Sequence, residues 1–347
     1  MAVDTSTHAL TGPATPRSRP ARRGPTGERS TPYVFIAPFF ILFGAFGLFP
    51  LVYTVWLSFF EYRLAGGEPE FIGLENYVWL FGSSGFYNSL WKTFTIGIIA
   101  TVPQLCMALG LAHLLNYNMR VRNFFRISMI MPYATSLVAA TLVFASIFSN
   151  TSGGLANVVL NLLGMEPIAW TAGNWTAQIA IAVIVTWHWT GYNALIYLAG
   201  MQSIGKELYE SAAIDGASRF SQFVHVTLPG LRPTILFTIV LSTIGATQLF
   251  TEPFLFGNGA DGGALNQYQV VAMYMYQMAF DIGRLGRASA IAGVVLALVI
   301  LLVLVNTWVA QLRTRERPSA RIRSACSSAK PMFLKSPGPG SSGGDPS

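Results

Sequence analysis

Charge is scarce in this chain. Only 11% of its 347 residues are Asp, Glu, Lys or Arg, while 52% are hydrophobic and the mean hydropathy is +0.48; soluble globular domains carry about 25% charged residues. That balance excludes an ordinary soluble domain and points to an integral membrane protein. Cysteine is nearly absent as well: Cys106 sits in an apolar run and Cys326 in a polar segment, with no zinc-type spacing and no pattern of a disulfide framework. The sequence has no H-E-x-x-H, no G-x-S-x-G and no convincing carboxylate pair, so it offers neither a catalytic site nor a reason to expect a metal or cofactor. No unit of about 20 to 50 residues recurs, which sets solenoids aside.

Nucleotide motifs occur only in broken form. "GMQSIGK", Gly200 to Lys206, has the G-x-x-x-x-G-K spacing of a phosphate loop, but Glu207 stands where that loop needs Ser or Thr for its magnesium ion. "GNGADG", Gly257 to Gly262, spells G-x-G-x-x-G, yet it follows an apolar run rather than a strand of a βαβ unit. Both are chance spellings, and any ATP chemistry must belong to another chain.

What the sequence does contain is six long apolar runs: 33–60, 89–115, 127–148, 177–201, 234–256 and 288–311. Each is near or above the ~20 residues needed to cross a hydrocarbon core about 30 Å thick. Backbone polar groups must be satisfied within the segment there, so the runs are read as helices and the fold class as all-α with six transmembrane helices. Pro38, Pro50, Pro103 and Pro132 are expected at kinks or helix ends. The first run is too long, and too far from residue 1, for a cleavable signal peptide. Of the 22 cations, 18 fall before run one, between runs two and three, between runs four and five, or after run six; Arg63, Lys92, Arg284 and Arg287 fall on the other side. The positive-inside rule then makes the chain a multi-pass cell-membrane protein with both termini cytoplasmic. The net charge of +7 is accounted for by this topology and by contact of the Arg-rich ends with anionic headgroups, not by nucleic acid. Residues 1–31 and 316–347 are too poor in apolar residues to order themselves, and are expected to be disordered tails flanking a membrane domain over 32–315.

The longest inner loop, 202–233, carries the most specific pattern. Ser203 is a candidate N-cap, Lys206–Ile214 has helical spacing, and Gly216 can end that helix in a left-handed turn. A second short helix is expected over 217–226, with Phe220, Phe223 and Val224 on one side, stopped by "LPGLRP". Ala212 and Ala213 keep one face small while Leu208 and Tyr209 supply apolar anchors, a form suited to docking in a groove on another protein.

"ELYESAAIDGASRFSQFVHVTLPGLRP" resembles the EAA loop of membrane subunits of ATP-binding-cassette importers, with Glu210, Ala212, Asp215, Gly216, Ala217, Phe223, Leu228, Pro229 and Pro233 on that pattern. Ser211 replaces the usual middle Ala, and Gly205 a common Pro, both small changes. "FIGLENYVWLF", "MPYATSLVAATLVFASIF", "WTGYNALIYLAGMQSI" and "GRASAIA" resemble the maltose-type sugar permeases, so the likeness covers about residues 30–315. The resemblance implies a permease forming half of a sugar pathway. Its partners would be a second permease subunit in a heterodimer, an ATPase dimer docked on Leu208, Tyr209, Glu210, Ala212, Ala213, Asp215, Gly216 and Ala217, and an extracytoplasmic solute-binding protein. Closure of the ATPases would switch the pathway from inward- to outward-facing.

Two readings compete. An ion-coupled secondary transporter would need intramembrane carboxylates or histidine relays. His188 is a lone, aromatic-flanked histidine, and Glu252 stands about nineteen residues beyond Pro233, roughly 28 Å along a continuous helix and so near the outer surface. A permease for glycerol 3-phosphate or another small polar solute remains open, although no cation is evident for a phosphate. For the solute pathway the candidates are Trp189, Tyr192 and Asn193 on one helix face, and Gln248 and Glu252, with Gly245, on another; polar helix packing explains the same spacing equally well.

Overall fold

A computed structural model describes residues 31–116 and 122–315. The expected tails, 1–31 and 316–347, lie outside the described residues apart from Thr31. The chain divides into two compact units, one ending at Tyr53 and one starting at Thr54.

In the first unit, helix α1 (Thr31–Phe43) runs through a π-turn, Gly44–Leu48, into α2 (Phe49–Leu57), whose last four residues belong to the second unit. Pro38 is accommodated inside α1. The π-turn has a cause: Pro50 has no N–H and its ring crowds the preceding turn, and the Phe49 N–H bonds five residues back to the Gly44 carbonyl. No residue from Tyr33 to Tyr53 is buried, and Phe35, Phe39, Phe40, Phe46 and Phe49 are exposed apolar side chains.

Among the described residues of the second unit, the strands form one short ribbon, β1 (Phe60–Glu61) antiparallel to β2 (Glu70–Phe71), and the other regular elements are helices. Its helices are α3 (Glu75–Gly82), α4 (Ser84–Asn116), α5 (Arg122–Ala134), α6 (Leu137–Ile147), α7 (Leu155–Leu162), α8 (Asn174–Gln202), α9 (Lys206–Ile214), α10 (Arg219–Gln222), α11 (Leu228–Gly230), α12 (Arg232–Thr247), α13 (Thr251–Phe256), α14 (Val271–Tyr276) and α15 (Leu285–Arg315). Among the described residues four helices are long and apolar enough to cross a membrane: Tyr33–Leu57, Ser84–Asn116, Asn174–Gln202 and Leu285–Trp308. Two further stretches qualify only as bent pairs, Asn123–Ala134 with Leu137–Ile147 at 90°, and Arg219–Gly230 with Arg232–Thr247 at 67°.

Run three breaks close to Pro132, which was expected at a kink or helix end, whereas run five, expected as one helix, is broken between α12 and α13. In run three the break falls after Pro132, at Thr135–Ser136. The Thr135 hydroxyl turns back to the Pro132 carbonyl at 2.6 Å, and Ser136, in extended backbone, caps α6 by accepting from the Ala139 N–H. In run five α12 stops at Thr247, Phe250 leaves the helical region (φ −143°, ψ −53°), and α13 restarts so that Pro253 lies in a first turn, where its missing N–H costs nothing. Pro103, by contrast, sits inside the unbroken α4.

Helices α4 and α8 form the centre of this unit. They meet through small residues, Ala100, Ala108 and Ala112 on one and Ala177, Ala180 and Ala194 on the other, all buried, which lets the backbones approach closely. One buried cluster gathers at one end of the pair around Ile96, Ile181, Ile184, Phe256, Tyr268 and Met273. A second gathers at the other end around Leu115, Tyr197, Leu198, Met201 and Leu231. Away from the helices, Asn157 is fully buried and organises the 149–170 segment: its amide donates to the Ser149, Thr151 and Ile168 carbonyls and accepts from Ile168 N and Trp170 Nε1. "GNGADG" is irregular loop, as expected.

Candidate functional site

Between the two clusters lies a cavity of about 520 Å³. Helix α4 contributes Thr101 and Gln104, α8 contributes Trp189, Tyr192 and Asn193, α12 contributes Ser242 and Gly245, the break after α12 contributes Gln248, and α13 contributes Thr251 and Glu252. All five pathway candidates from the sequence line this one cavity. Tyr133 joins them from α5, its ring 4.8 Å from Tyr192 at 25° and 5.4 Å from Trp189, while Trp189 and Tyr192 meet edge-on at 6.0 Å. The bend after α5 leaves Tyr133 at the helix end, facing α8. Asn193 donates to the Trp189 carbonyl at 3.2 Å, which fixes its amide and leaves its carbonyl oxygen for another donor.

Glu252 needs correction. A continuous helix would have put it near the outer surface; the break brings it to the cavity wall with 4% of its surface exposed. It is the one charged side chain among the described lining residues. The expected helical spacing of Gly245, Gln248 and Glu252 also fails, because no helix joins them, although all three face the cavity. Tyr133, Gln104, Thr101, Ser242 and Thr251 were not singled out; a Gln in an apolar run, as at 104, was the available signal. His188 does not line the cavity. It is buried, packed against Tyr133 and Trp189 at ring distances of 5.8 and 5.5 Å.

The 202–233 segment forms a second candidate surface. Helix α9 has no buried residue, and Gly216 follows it at φ +78°. The Ala217 N–H bonds to the Ala212 carbonyl at 2.9 Å and the Gly216 N–H to the Ala213 carbonyl at 3.0 Å, the paired pattern of a glycine-terminated helix. Glu210, Ala213 and Asp215 are exposed, Ala212 and Ala217 half-buried, and Leu208 55% exposed. Tyr209 turns inward, its hydroxyl 3.0 Å from that of Thr227, and so is not an outward anchor. Ile214 and Phe220, 86% and 75% exposed, are the outward apolar side chains.

Three local expectations are revised here. Ser203 closes α8, donating to the Gly200 carbonyl, and Gly205 caps α9. The second helix starts after Ser218, which caps it, two residues later than expected, and stops within "LPGLRP", where the chain bends by 67° into α12. It passes a π-turn, Phe223–Thr227, before Pro229 and reaches Gly230. Phe220 points out, whereas Phe223 packs 4.3 Å from the His113 ring, so the two do not share a side.

Residues 104–317 match the family described as "Binding-protein-dependent transport system inner membrane component". The chain is 35% identical over 278 residues to the arabinooligosaccharides transport system permease protein AraP of Bacillus subtilis (strain 168), covering 80% of this chain and 87% of that one. It is 35% identical over 288 residues to the lactose transport system permease protein LacF of Rhizobium radiobacter, covering 82% and 94%. Its fold is similar to a chain in the crystal structure of a bacterial alginate ABC transporter in complex with alginate pentasaccharide-bound periplasmic protein. That match has a TM-score of 0.70 and 23% identity, and covers 80% of this chain and 93% of that chain.

Proposed function

The chain belongs to the family of binding-protein-dependent transport system inner membrane components, and from that membership we propose that it forms half of a sugar pathway driven by a separate ATPase. The carrying observation is the cavity between α4, α8 and α12. Three aromatic rings offer faces for the apolar side of a sugar, and Gln104, Asn193, Gln248 and the Thr and Ser hydroxyls offer hydrogen bonds. No cation among the described lining residues is placed to meet a phosphate, which favours a sugar over a phosphorylated solute. A binding-protein partner follows from the family, and the relatives' sugar substrates support the solute class. A second permease would complete the cavity, and an ATPase would dock on the outward residues of the 202–217 segment.

Asn193→Ala and Gln248→Ala are each expected to weaken uptake of the cognate sugar by roughly fivefold, the worth of one net hydrogen bond, with assembly intact. Wild-type uptake by both variants would return these residues to helix packing.

In this reading the bent pair Asn123–Ala134 with Leu137–Ile147 is one crossing and α12 with α13 another, giving six, with both termini and Gly200–Pro233 cytoplasmic. Single cysteines in 61–85 and 257–280 should react with an impermeant thiol reagent from outside. Labelling of Ser211→Cys from outside would overturn the orientation.

A further inference from the structure

Three of the four cations that the proposed orientation puts outside, Arg63, Arg284 and Arg287, converge on one place, and the inference drawn from them rests on that orientation. The backbone brings them together: residues 63 and 284 form an antiparallel bridge, the Leu64 N–H donates to the Gly283 carbonyl at 2.8 Å, and the Gly286 N–H donates to the Tyr62 carbonyl at 3.3 Å. Gly286 permits this crossing, since a Cβ there would overlap the Phe60 carbonyl oxygen. Asn76, buried in α3, fastens the other wall by donating to the Ser58 and Phe60 carbonyls. Between these elements is a cleft of about 380 Å³, walled by Glu61, Tyr62, Glu75, Trp79, Arg284 and Arg287.

The charges in the cleft are unequally engaged. Arg63 donates twice to Glu61, at 2.6 and 3.0 Å, and this pairing holds the Glu61 carboxyl below the usual carboxylate range. Arg287 lies over the Trp79 ring at 4.3 Å. Among the described residues, neither Arg284 nor Arg287 makes an ion pair or a side-chain hydrogen bond. With Glu61 matched by Arg63 and Glu75 exposed on the rim, the cleft keeps a net positive charge. The N-terminus of α15 at Leu285 adds to it.

Beside the cleft, Leu74, Val78 and Phe81 lie three or four residues apart on the outward side of α3, 63%, 72% and 55% exposed, with Phe71 of the ribbon 69% exposed. A contiguous apolar face of this kind is not left in water. Guanidinium groups matched to a phosphodiester, a Trp ring beside them and an apolar face for acyl chains are together the recognition chemistry of one ligand. An acidic protein segment would use the arginines and leave the apolar face bare. We propose that this cleft binds the headgroup phosphate of an anionic phospholipid in the outer leaflet.

The test uses the full chain purified in neutral detergent, exposed to mixed micelles of dioleoylphosphatidylglycerol and dioleoylphosphatidylcholine, with retained lipid read by native mass spectrometry. Wild type should retain the glycerol lipid roughly tenfold over the choline lipid, the worth of charge-assisted hydrogen bonds. The R284Q/R287Q pair should lose that preference, and each single change part of it, which keeps the test decisive if the double variant fails to fold. Glu61→Gln should keep the preference. Free glycerol 1-phosphate should not displace the lipid; if it does, the site takes a soluble phosphate and the proposal falls. Equal retention of both lipids by wild type, or unchanged preference in the double variant, overturns it. Weakened affinity for an acidic solute-binding protein with lipid retention unchanged does so too.

Discussion

Gly216→Val is expected to abolish ATP-driven uptake while leaving the chain inserted in the membrane. Gly216 stands at φ +78° between α9 and α10, and a Cβ there would touch nothing within 4 Å. The penalty therefore comes from the backbone alone, about 1–2 kcal/mol for an L-residue in the left-handed region and more for a β-branched one. That is too little to unfold a helical membrane domain, but the chain can relieve it by giving up the two bonds from Gly216 and Ala217 that end α9. The exposed side chains Leu208, Glu210 and Ile214 would then be presented at the wrong angle to the ATPase proposed to dock there. Glu210→Lys tests the same surface by charge: Glu210 is exposed, and its reversal should leave thermal stability unchanged yet uncouple the ATPase. Uptake into vesicles and co-purification of the ATPase are the measurements. Full coupling in either purified variant would end the docking assignment, and solute movement on an ion gradient without ATP would end the importer reading as well.

Much of the helical frame was legible because apolar length is a strong signal. The runs at 89–115, 177–201 and 288–311 lie within Ser84–Asn116, Asn174–Gln202 and Leu285–Arg315. The Gly216 turn was legible too, since few residues but glycine sit comfortably at that φ. Of the breaks, only the one in run three had a signal, Pro132; its exact place and the break in run five had none. Composition stays apolar through Thr135–Ser136 and through Leu249–Phe250, so hydropathy runs on while the helix stops. Ser136 is a sound cap in hindsight, yet Ser203 looked equally good and proved to close α8 rather than open α9. Side-chain direction was lost wherever a break intervened. Tyr133 was invisible as a cavity residue because only the bend after α5 aims it at Trp189 and Tyr192. Glu252 was misplaced because a straight helix would have carried it past the cavity. Trp189, Tyr192 and Asn193 could be grouped correctly because α8 is continuous through them and the 3.6-residue period holds.

That continuity leads to the second large effect, at Gly191. It is buried in α8 where α5 crosses, and a Cβ built on it would overlap the Met129 carbonyl oxygen and come within 2.7 Å of the Met129 carbonyl carbon. Both obstacles are backbone, so no rotamer change relieves them; the helices must part by on the order of 1 Å, an overpacking cost of about 1–3 kcal/mol for alanine and more for leucine. The displacement would fall on α5, which is short and ends at the Thr135–Ser136 break. Moving α5 takes Tyr133 off Tyr192 and breaches the aromatic wall of the cavity. Gly191→Ala should therefore lower the melting temperature of the purified protein and reduce uptake more than Asn193→Ala does, and Gly191→Leu should fail to yield folded protein. Gly110→Ala is the matched control: it lies within α4, a Cβ there meets nothing within 4 Å, and alanine should be neutral or slightly stabilising. If Gly191→Ala melted and transported like Gly110→Ala, the crossing would be slack, and Tyr133 would owe its place in the cavity to something other than the contact between α5 and α8.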